Sequence, residues 1–329
     1  MAENEVRSVA ELVKLCEAGA HVVACGFLGD EAVFATGEGE IAFVSGKKVG
    51  AHPNGGILEA ICDGGRMITC GDDGRVVATD AEGRTEILAE VKGKWIDHVA
   101  LGPDGMIAWS AGKTAYVKTK KGERSLDVAT TVGGLAFAPK GFRLAVAHYN
   151  GVSLWFPNSD AKPDVLEWKG SHLGVLWSVD GKFLITTMQE PAMHGWRLAD
   201  NKHMRMSGYP MRVRSMSFSH DGKLLATSGA ESIILWPFGT KDGPMGKDPG
   251  MLAPAREGSR VTCVACHPEK EAVAVGYSDG MVMMARISDA AEILIRGPEG
   301  GEVTALAWRK DGAALAYGTD EGKAGVLNP

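Results

Sequence analysis

The sequence predicts an all-β fold of repeated four-stranded sheets, and three observations carry the prediction: a recurring apolar pattern, a turn signal at a fixed place within it, and a glycine that ends the strand after the turn. The pattern is an apolar residue, another three positions on, and a third two after that. It runs Val22/Cys25/Phe27, Ile57/Ala60/Cys62, Ile96/Val99/Leu101, Val132/Leu135/Phe137, Leu173/Leu176/Ser178, Val213/Met216/Phe218, Val261/Val264/Cys266 and Val303/Leu306/Trp308. Its first members lie 35, 39, 36, 41, 40, 48 and 42 residues apart, and short strands repeating with a period near forty are what a β-propeller produces. A closed array of this kind is one domain, so residues 1–329 read as a single domain.

Repeat six shows how the elements follow one another. VRSMSFS (213–219) is a first strand, His220-Asp221-Gly222 turns the chain, and KLLATSG (223–229) returns as the second strand of a hairpin. SIILWPF (232–238) is the third strand, and a weaker fourth precedes the next repeat. The same turn chemistry recurs at Pro103-Asp104-Gly105, Pro139-Lys140-Gly141, Asp180-Gly181 and Asp311-Gly312. Glycine ends the second strand at Gly37, Gly71, Gly112, Gly229, Gly276 and Gly318, where neighbouring sheets are expected to stack. GTKDGPMGKDPG (239–250), rich in glycine and proline, reads as the surface loop that lengthens repeat six. Counting complete repeats predicts eight four-stranded blades, with seven as the alternative. The last repeat has only three strands before Pro329, so a segment from Val9 to Leu15 is expected to pair with it and close the ring, although SVAELVKLCEAG also has helix-compatible spacing.

These residues resemble the WD40-repeat family over essentially the whole chain, in a divergent, prokaryotic-type form. LLATSGAESIILW (224–236) is the best single stretch, and FRLAVAHYNGVSLWFPN in repeat four is similar. No repeat carries the Trp-Asp dipeptide: Trp155 and Trp236 are followed by Phe156 and Pro237, and only Ser171-His172 approaches the Gly-His element. Without the dipeptide, the family's Asp-His-Ser/Trp hydrogen-bond network cannot be carried over to any repeat.

Composition narrows the function. A net charge of −6 argues against nucleic acid, whose binders show a basic footprint. The start, MAENEVRSV, lacks a basic and an apolar leader region, and no run is long enough to cross a bilayer. Six cysteines scattered through strand-like segments fit a reducing compartment, so the expected location is cytoplasmic, with no membrane partner.

Chemical motifs are few. Cys263-Val-Ala-Cys266-His267 matches the pattern for covalent haem attachment, but residues three apart on a strand face opposite ways, and Cys266 occupies the core place held elsewhere by Phe27, Phe137, Phe218 and Trp308. A zinc site needs a second such pair, and none exists. Met188, Met193, His194, His203, Met204, Met206, Met211 and Met216 cluster in repeats five and six, which leaves soft-metal handling as an alternative to plain packing. The innermost strands carry Glu59, Asp97, His98 and Arg214, so a channel enzyme or small-molecule binder is a further alternative. No nucleophile with its base, no paired carboxylates and no phosphate loop appear at a useful spacing, and no catalytic residue, metal or cofactor is expected.

A non-enzymatic scaffold that binds a protein or peptide is the leading reading. In WD40 rings the narrow face is made by loops entering the first strand and loops between the second and third. Those places hold Trp95, His148, Tyr149, His172, Gln189, Tyr209, Arg212, Arg260 and Tyr277, including types that dominate interface energetics. Lys202, His203, Arg205, Arg212 and Arg214 form a basic stretch that would steer an acidic partner.

Overall fold

The computed structural model describes residues 7–120, 122–253 and 258–328. The first six residues, which supply most of the leader argument, lie outside the described residues. The chain forms two compact bodies: a terminal body, Met1–Val49 with Arg214–Pro329, and a central body, Gly50–Val213. The terminal body holds repeats one, six, seven and eight, and the central body holds repeats two to five.

Apart from the N-terminal strands, the sheets are meanders of consecutive strands, joined mostly by short turns. Repeat two runs Ile57–Cys62, Arg66–Gly71, Arg75–Asp80 and Thr85–Glu90 with antiparallel neighbours. Its middle strands are buried on both faces and its outermost strand is exposed, the gradient of a sheet packed between two others. In repeat six the strands are Met216–Phe218, Leu224–Thr227, Ile233–Pro237 and Gly250–Leu252. The long loop before the last of these is closed by Lys247, whose ammonium donates to Thr240 Oγ1 at 2.7 Å and to the Gly243 carbonyl at 3.0 Å.

Turn chemistry is as the sequence predicts. In repeat six the Ser219 hydroxyl donates to Asp221 at 2.8 Å, Asp221 accepts from the Lys223 amide at 3.0 Å, and Ser219 Oγ accepts from the Leu224 amide at 3.0 Å. Repeat five repeats this with Ser178, Asp180 and Lys182. The turn residues Asp104 (φ 57°) and Gly105 (φ 76°) take the left-handed conformation that an Asp-Gly pair supplies at low strain.

The strands make seven hydrogen-bonded sheets among the described residues, which corrects the eight separate four-stranded blades expected from the repeat count and accords with the seven-fold alternative. Five sheets have four strands, one has five and one has six. Repeats four and five share the six-stranded sheet because Leu144–Trp155 and Asp164–Trp177 run on as single strands. Leu144–Trp155 passes its turn at Asn150 (φ 69°) and Gly151 (φ 151°), and Asp164–Trp177 bends at Gly170 (φ 123°). The first part of Asp164–Trp177 pairs back onto repeat four, and its later part, from His172 to Trp177, pairs with Leu184–Met188. Spacing in sequence cannot distinguish a turn that breaks hydrogen bonding from one that carries it through.

The N-terminal segment does pair with repeat eight. Ala10–Leu12 is a single 3-10 turn, and Val13–Glu17 then runs antiparallel to Lys323–Leu327, from Val13 opposite Leu327 to Glu17 opposite Lys323. Lys323 Nζ also meets Glu17 at 2.7 Å. Just before it, Arg7–Ser8 adds in parallel to Glu292–Arg296 of repeat seven, making that sheet five-stranded.

Apolar clusters fill the space between successive repeats within each body. Val264, Val273, Val275 and Tyr277 join Ile233 and Leu252 between repeats six and seven, and Trp109, Val99 and Ile107 join Ile68 and Val76 between repeats two and three. The glycine expectation holds where sheets approach most closely. A Cβ on Gly276 would lie 2.3 Å from Val303 Cγ1, and one on Gly318 would lie 2.4 Å from Val22 Cγ1. Gly112 and Gly229 serve a turn instead, with φ of 60° and 93°. Gly276→Ala is expected to lower stability by about 1–3 kcal/mol through overpacking. Gly50→Ala, where nothing lies within 4 Å, is expected to stay within about 0.5 kcal/mol. Urea midpoints of the two variants check this.

Candidate interaction surface

Loops that enter a first strand and loops that join the second to the third emerge at the same end of an antiparallel sheet. In the central body that end presents Trp95, which is 62% exposed, and Tyr149, which is 49% exposed. Gln189 is exposed there and accepts a hydrogen bond from Arg212 Nη1 at 3.1 Å, beside the exposed Met211. The Tyr149 amide donates to Thr130 Oγ1 at 3.0 Å, fixing the backbone that carries the ring. In the terminal body Arg260 is exposed, with its amide held by Ser278 Oγ at 3.1 Å.

Four of the nine residues placed on this surface from sequence are buried instead: His148, His172, Tyr209 and Tyr277. Each is held by the fold and presents almost no side chain to a partner. His148 lies between the Tyr149 carbonyl at 2.9 Å and Ser153 Oγ at 3.0 Å. The carbonyl can only accept, so Nδ1 carries the proton and Nε2 accepts from the serine. His172 donates through Nε2 to the Trp168 carbonyl at 2.9 Å and accepts from the Thr186 hydroxyl at 2.8 Å, and burial lowers its pKa. Position in a loop does not tell a histidine that caps backbone from one that faces solvent.

The polar residues of the first strands read as links between repeats. Glu59 Oε2 accepts from the Val99 amide at 3.0 Å and meets His98 Nδ1 at 3.1 Å, joining repeat two to repeat three. Burial alone pushes the His98 pKa down, but the Glu59 hydrogen bond and charge, with Asp97 beside them, outweigh it and hold the imidazole above its ordinary value. In the terminal body Ser215 binds Val264, Thr262 binds the Val303 carbonyl and Thr304 binds the Val22 carbonyl, so first strands are tied to their neighbours in the same manner there. Arg214 meets Glu302 at 3.4 Å. Glu59 thus has a structural task that its residue type does not announce.

The methionine and histidine cluster is divided by its own sheet. Thr186 pairs with His194, His194 with Arg205 and Trp196 with His203, which puts these side chains on one face. Met193 pairs with Met206 and Gly195 with Met204, on the other face. Met193, Met204 and Met206 therefore face away from His194 and His203, and among the described residues no three of His, Cys, Asp and Glu are placed to hold a metal ion. His194 is fully buried, stacked on Trp168 at a centroid distance of 4.0 Å and edge-on to Trp196 at 4.7 Å, with no hydrogen bond to either ring nitrogen. Burial first, then the neighbouring His172, His203 and Arg205, lower its pKa to about 3.

The Cys263/Cys266/His267 motif resolves in the same way. Cys263 Sγ donates to the Val303 carbonyl of repeat eight and Cys266 Sγ to the Ser217 carbonyl of repeat six, from opposite faces of one strand. Burial pushes the two thiols up to about 12 and about 11. His267 caps the following turn, accepting from the Glu269 and Lys270 amides at 3.0 Å each and donating to the Gly312 carbonyl at 3.1 Å. None of the six cysteines is in a disulfide.

One buried polar network was not found from the sequence. His52, ahead of the first strand of repeat two, binds Asp73 Oδ1 through Nδ1 at 2.9 Å and Thr69 Oγ1 through Nε2 at 2.8 Å. Thr69 in turn reaches the Val77 carbonyl at 3.3 Å. All three groups are almost completely buried.

Comparison with known proteins fits this architecture. The WD domain, G-beta repeat family matches residues 201–236, the last strand of repeat five and the first three of repeat six. WD repeat-containing protein 55 of Rattus norvegicus is 25% identical over 203 residues, covering 59% of this chain and 51% of the relative, and the Mus musculus protein is equally similar over the same length. The chain thus spans about half the length of the curated relatives it matches. The crystal structure of the computationally designed protein Ika8 superposes with a TM-score of 0.74 at 17% identity, covering 96% of this chain and 98% of that one, a likeness of fold alone. Residues 201–236 of the chain match a WD40 repeat, and its sheets are those of a β-propeller.

The His52, Thr69 and Asp73 network has three of the side-chain types of the network that the missing dipeptide kept from being carried over to any repeat. Histidine, threonine and aspartate are all present, and Thr79-Asp80 stands at the register where repeat six has Trp236-Pro237. Repeat five holds a partial copy, in which His172 and Thr186 are present and Glu190 occupies the place of the aspartate, four after the threonine. A search for histidine followed by threonine and then by a carboxylate four residues on would have found both. A search for Trp-Asp finds neither.

Proposed function

We propose that this WD40 propeller is a non-enzymatic protein-interaction scaffold, the role that WD-repeat proteins typically fill, and that a protein or peptide docks on the loops of the central body around Trp95, Tyr149, Gln189 and Arg212. The observation that carries the reading is Trp95, a large apolar ring left 62% exposed on a loop. Exposed tryptophan and tyrosine beside arginine are the composition of an interface hot spot. Arg260 contributes in the same way on the terminal body. His148 and His172 support this surface from beneath, because they fix the backbone beside Tyr149 and at Trp168.

An acidic partner fits Arg212 and the exposed strand Lys202–Ser207, on which Lys202, His203 and Arg205 face outward. The overall acidity disfavours nucleic acid. No described helix is long and apolar enough to cross a membrane. The proposal places the protein in the cytoplasm, with no cofactor.

A native pull-down with mass spectrometry, comparing wild type with Trp95→Ala/Tyr149→Ala/Arg212→Ala, tests the reading. A partner recovered with wild type, lost with the folded variant and weakened by salt is the expected result. The same proteins recovered with both would overturn it.

A further inference from the structure

The terminal body has a second surface, at the other end of its strands from Arg260. There the hairpin turns of repeats seven and eight flank a cleft of ≈ 400 Å³, a size that accepts a few side chains of a bound peptide. Its floor is apolar: Trp308, Met284 and Ile293, each only partly covered, line it. The floor is also rigid. Trp308 Nε1 donates to the Ala265 carbonyl at 2.9 Å, and its ring packs 4.6 Å from that of His267, itself locked by three backbone hydrogen bonds. A preorganised apolar floor lowers the ordering cost of binding.

The rim supplies charge. Arg7 reaches the cleft because Arg7–Ser8 lies along Glu292–Arg296, with Arg7 opposite Ile293, and Lys270 and Arg286 line the cleft with it. Arg286 is engaged by Asp289 at 2.8 Å. The side chains of Arg7 and Lys270 make no hydrogen bond or ion pair among the described residues. The one carboxylate lining the cleft, Glu271, is close enough to Lys223 to contribute to that lysine's raised pKa, after the larger effect of Asp221. Two unpaired cations over a fixed apolar floor, on a chain of net charge −6, mark this place off from an acidic surface.

We propose that this cleft docks an acidic peptide segment with a large apolar side chain, the apolar group resting on Trp308, Met284 and Ile293 and the flanking carboxylates meeting Arg7 and Lys270. It is a site separate from the Trp95 surface, and the scaffold would hold two partner segments at once.

The test uses the full chain labelled with 13C at its methionine methyls and a synthetic peptide, acetyl-Glu-Glu-Leu-Phe-Glu-Glu-amide. The Met284 methyl resonance, assigned through Met284→Leu, is expected to shift on titration, with an affinity that falls several-fold at high salt. Arg7→Glu/Lys270→Glu, two exposed changes that leave every described hydrogen bond in place, is expected to weaken binding by about tenfold or more. The same peptide with alanine for leucine and phenylalanine is expected to bind as weakly. An unmoved Met284 resonance, equal binding by the double variant, or equal occupancy by an oligonucleotide or by the lysine counterpart of the peptide would overturn the proposal. Trp95→Ala is expected to leave this titration unchanged, so failure at one surface is distinguishable from failure at the other.

Discussion

His52→Ala is expected to destabilise the central body by about 3–5 kcal/mol, the largest loss from any single polar substitution in the molecule. The imidazole is fully buried and joins Asp73 at 2.9 Å to Thr69 at 2.8 Å. Removing it leaves a carboxylate that is only 5% exposed with the Arg75 amide, at 3.1 Å, as its remaining described partner at Oδ1, while Oδ2 has none. An unpaired buried carboxylate suffers a desolvation penalty that no repacking recovers. Asp73→Asn keeps an acceptor for the imidazole and removes the charge, so its loss is expected to be smaller. Thr69→Val removes one hydrogen bond at constant volume and is expected to cost about 1–2 kcal/mol. Urea denaturation of the three variants at one pH checks the order. A His52→Ala variant as stable as Thr69→Val would show that the aspartate finds another partner.

The second large effect depends on pH. The depressed pKa values of His172, His194 and His267 mean that the folded chain holds these imidazoles neutral more strongly than the unfolded chain does. A depressed group contributes its full stability above the unfolded value near 6.5, and that stability is lost as pH falls toward the folded value. His194, at about 3, covers the widest window. It alone is expected to remove about 2 kcal/mol between pH 6.5 and 5. His98 runs the other way. Its raised pKa gives stability below 6.5 that is lost as pH rises through the folded value, but Glu59 is 44% exposed, so solvent screening keeps this opposing effect small.

His194→Leu separates these contributions. With both ring nitrogens buried and unpaired, an apolar side chain of similar volume is expected to raise stability at pH 7.5 by about 1–3 kcal/mol and to flatten the decline toward pH 5. Carboxylates titrating in the same range affect wild type and variant alike, so the difference between their urea midpoints at pH 7.5, 6 and 5 isolates the histidine. Parallel curves would place the acid sensitivity elsewhere.

Backbone register was legible in the sequence because it follows from local rules. Alternation of apolar residues gave the strands, Asp-Gly pairs gave the first hairpins, and Gly276 and Gly318 marked where sheets press together. The opposed faces of Cys263 and Cys266 were also readable, since three residues along a strand always reverse the side chain. The candidate surface was legible only in part. Trp95, Tyr149, Gln189, Arg212 and Arg260 are accessible, whereas His148, His172, Tyr209 and Tyr277 occupy loops of the same kind and turn inward.

The sequence by itself determined the repeat, the strands, their turns and the pairing of the N-terminal segment with repeat eight, because each depends on residues close together or on a simple count of unpaired strands. Only the tertiary structure decided that repeats four and five share a sheet, that His52 finds Thr69 and Asp73, that Met193, Met204 and Met206 lie on the face opposite His194 and His203, and that Arg7 and Lys270 line one cleft with Trp308. Those outcomes depend on which polar groups are left buried and which charges find a partner. Neither is a property of any residue until the chain has folded around it.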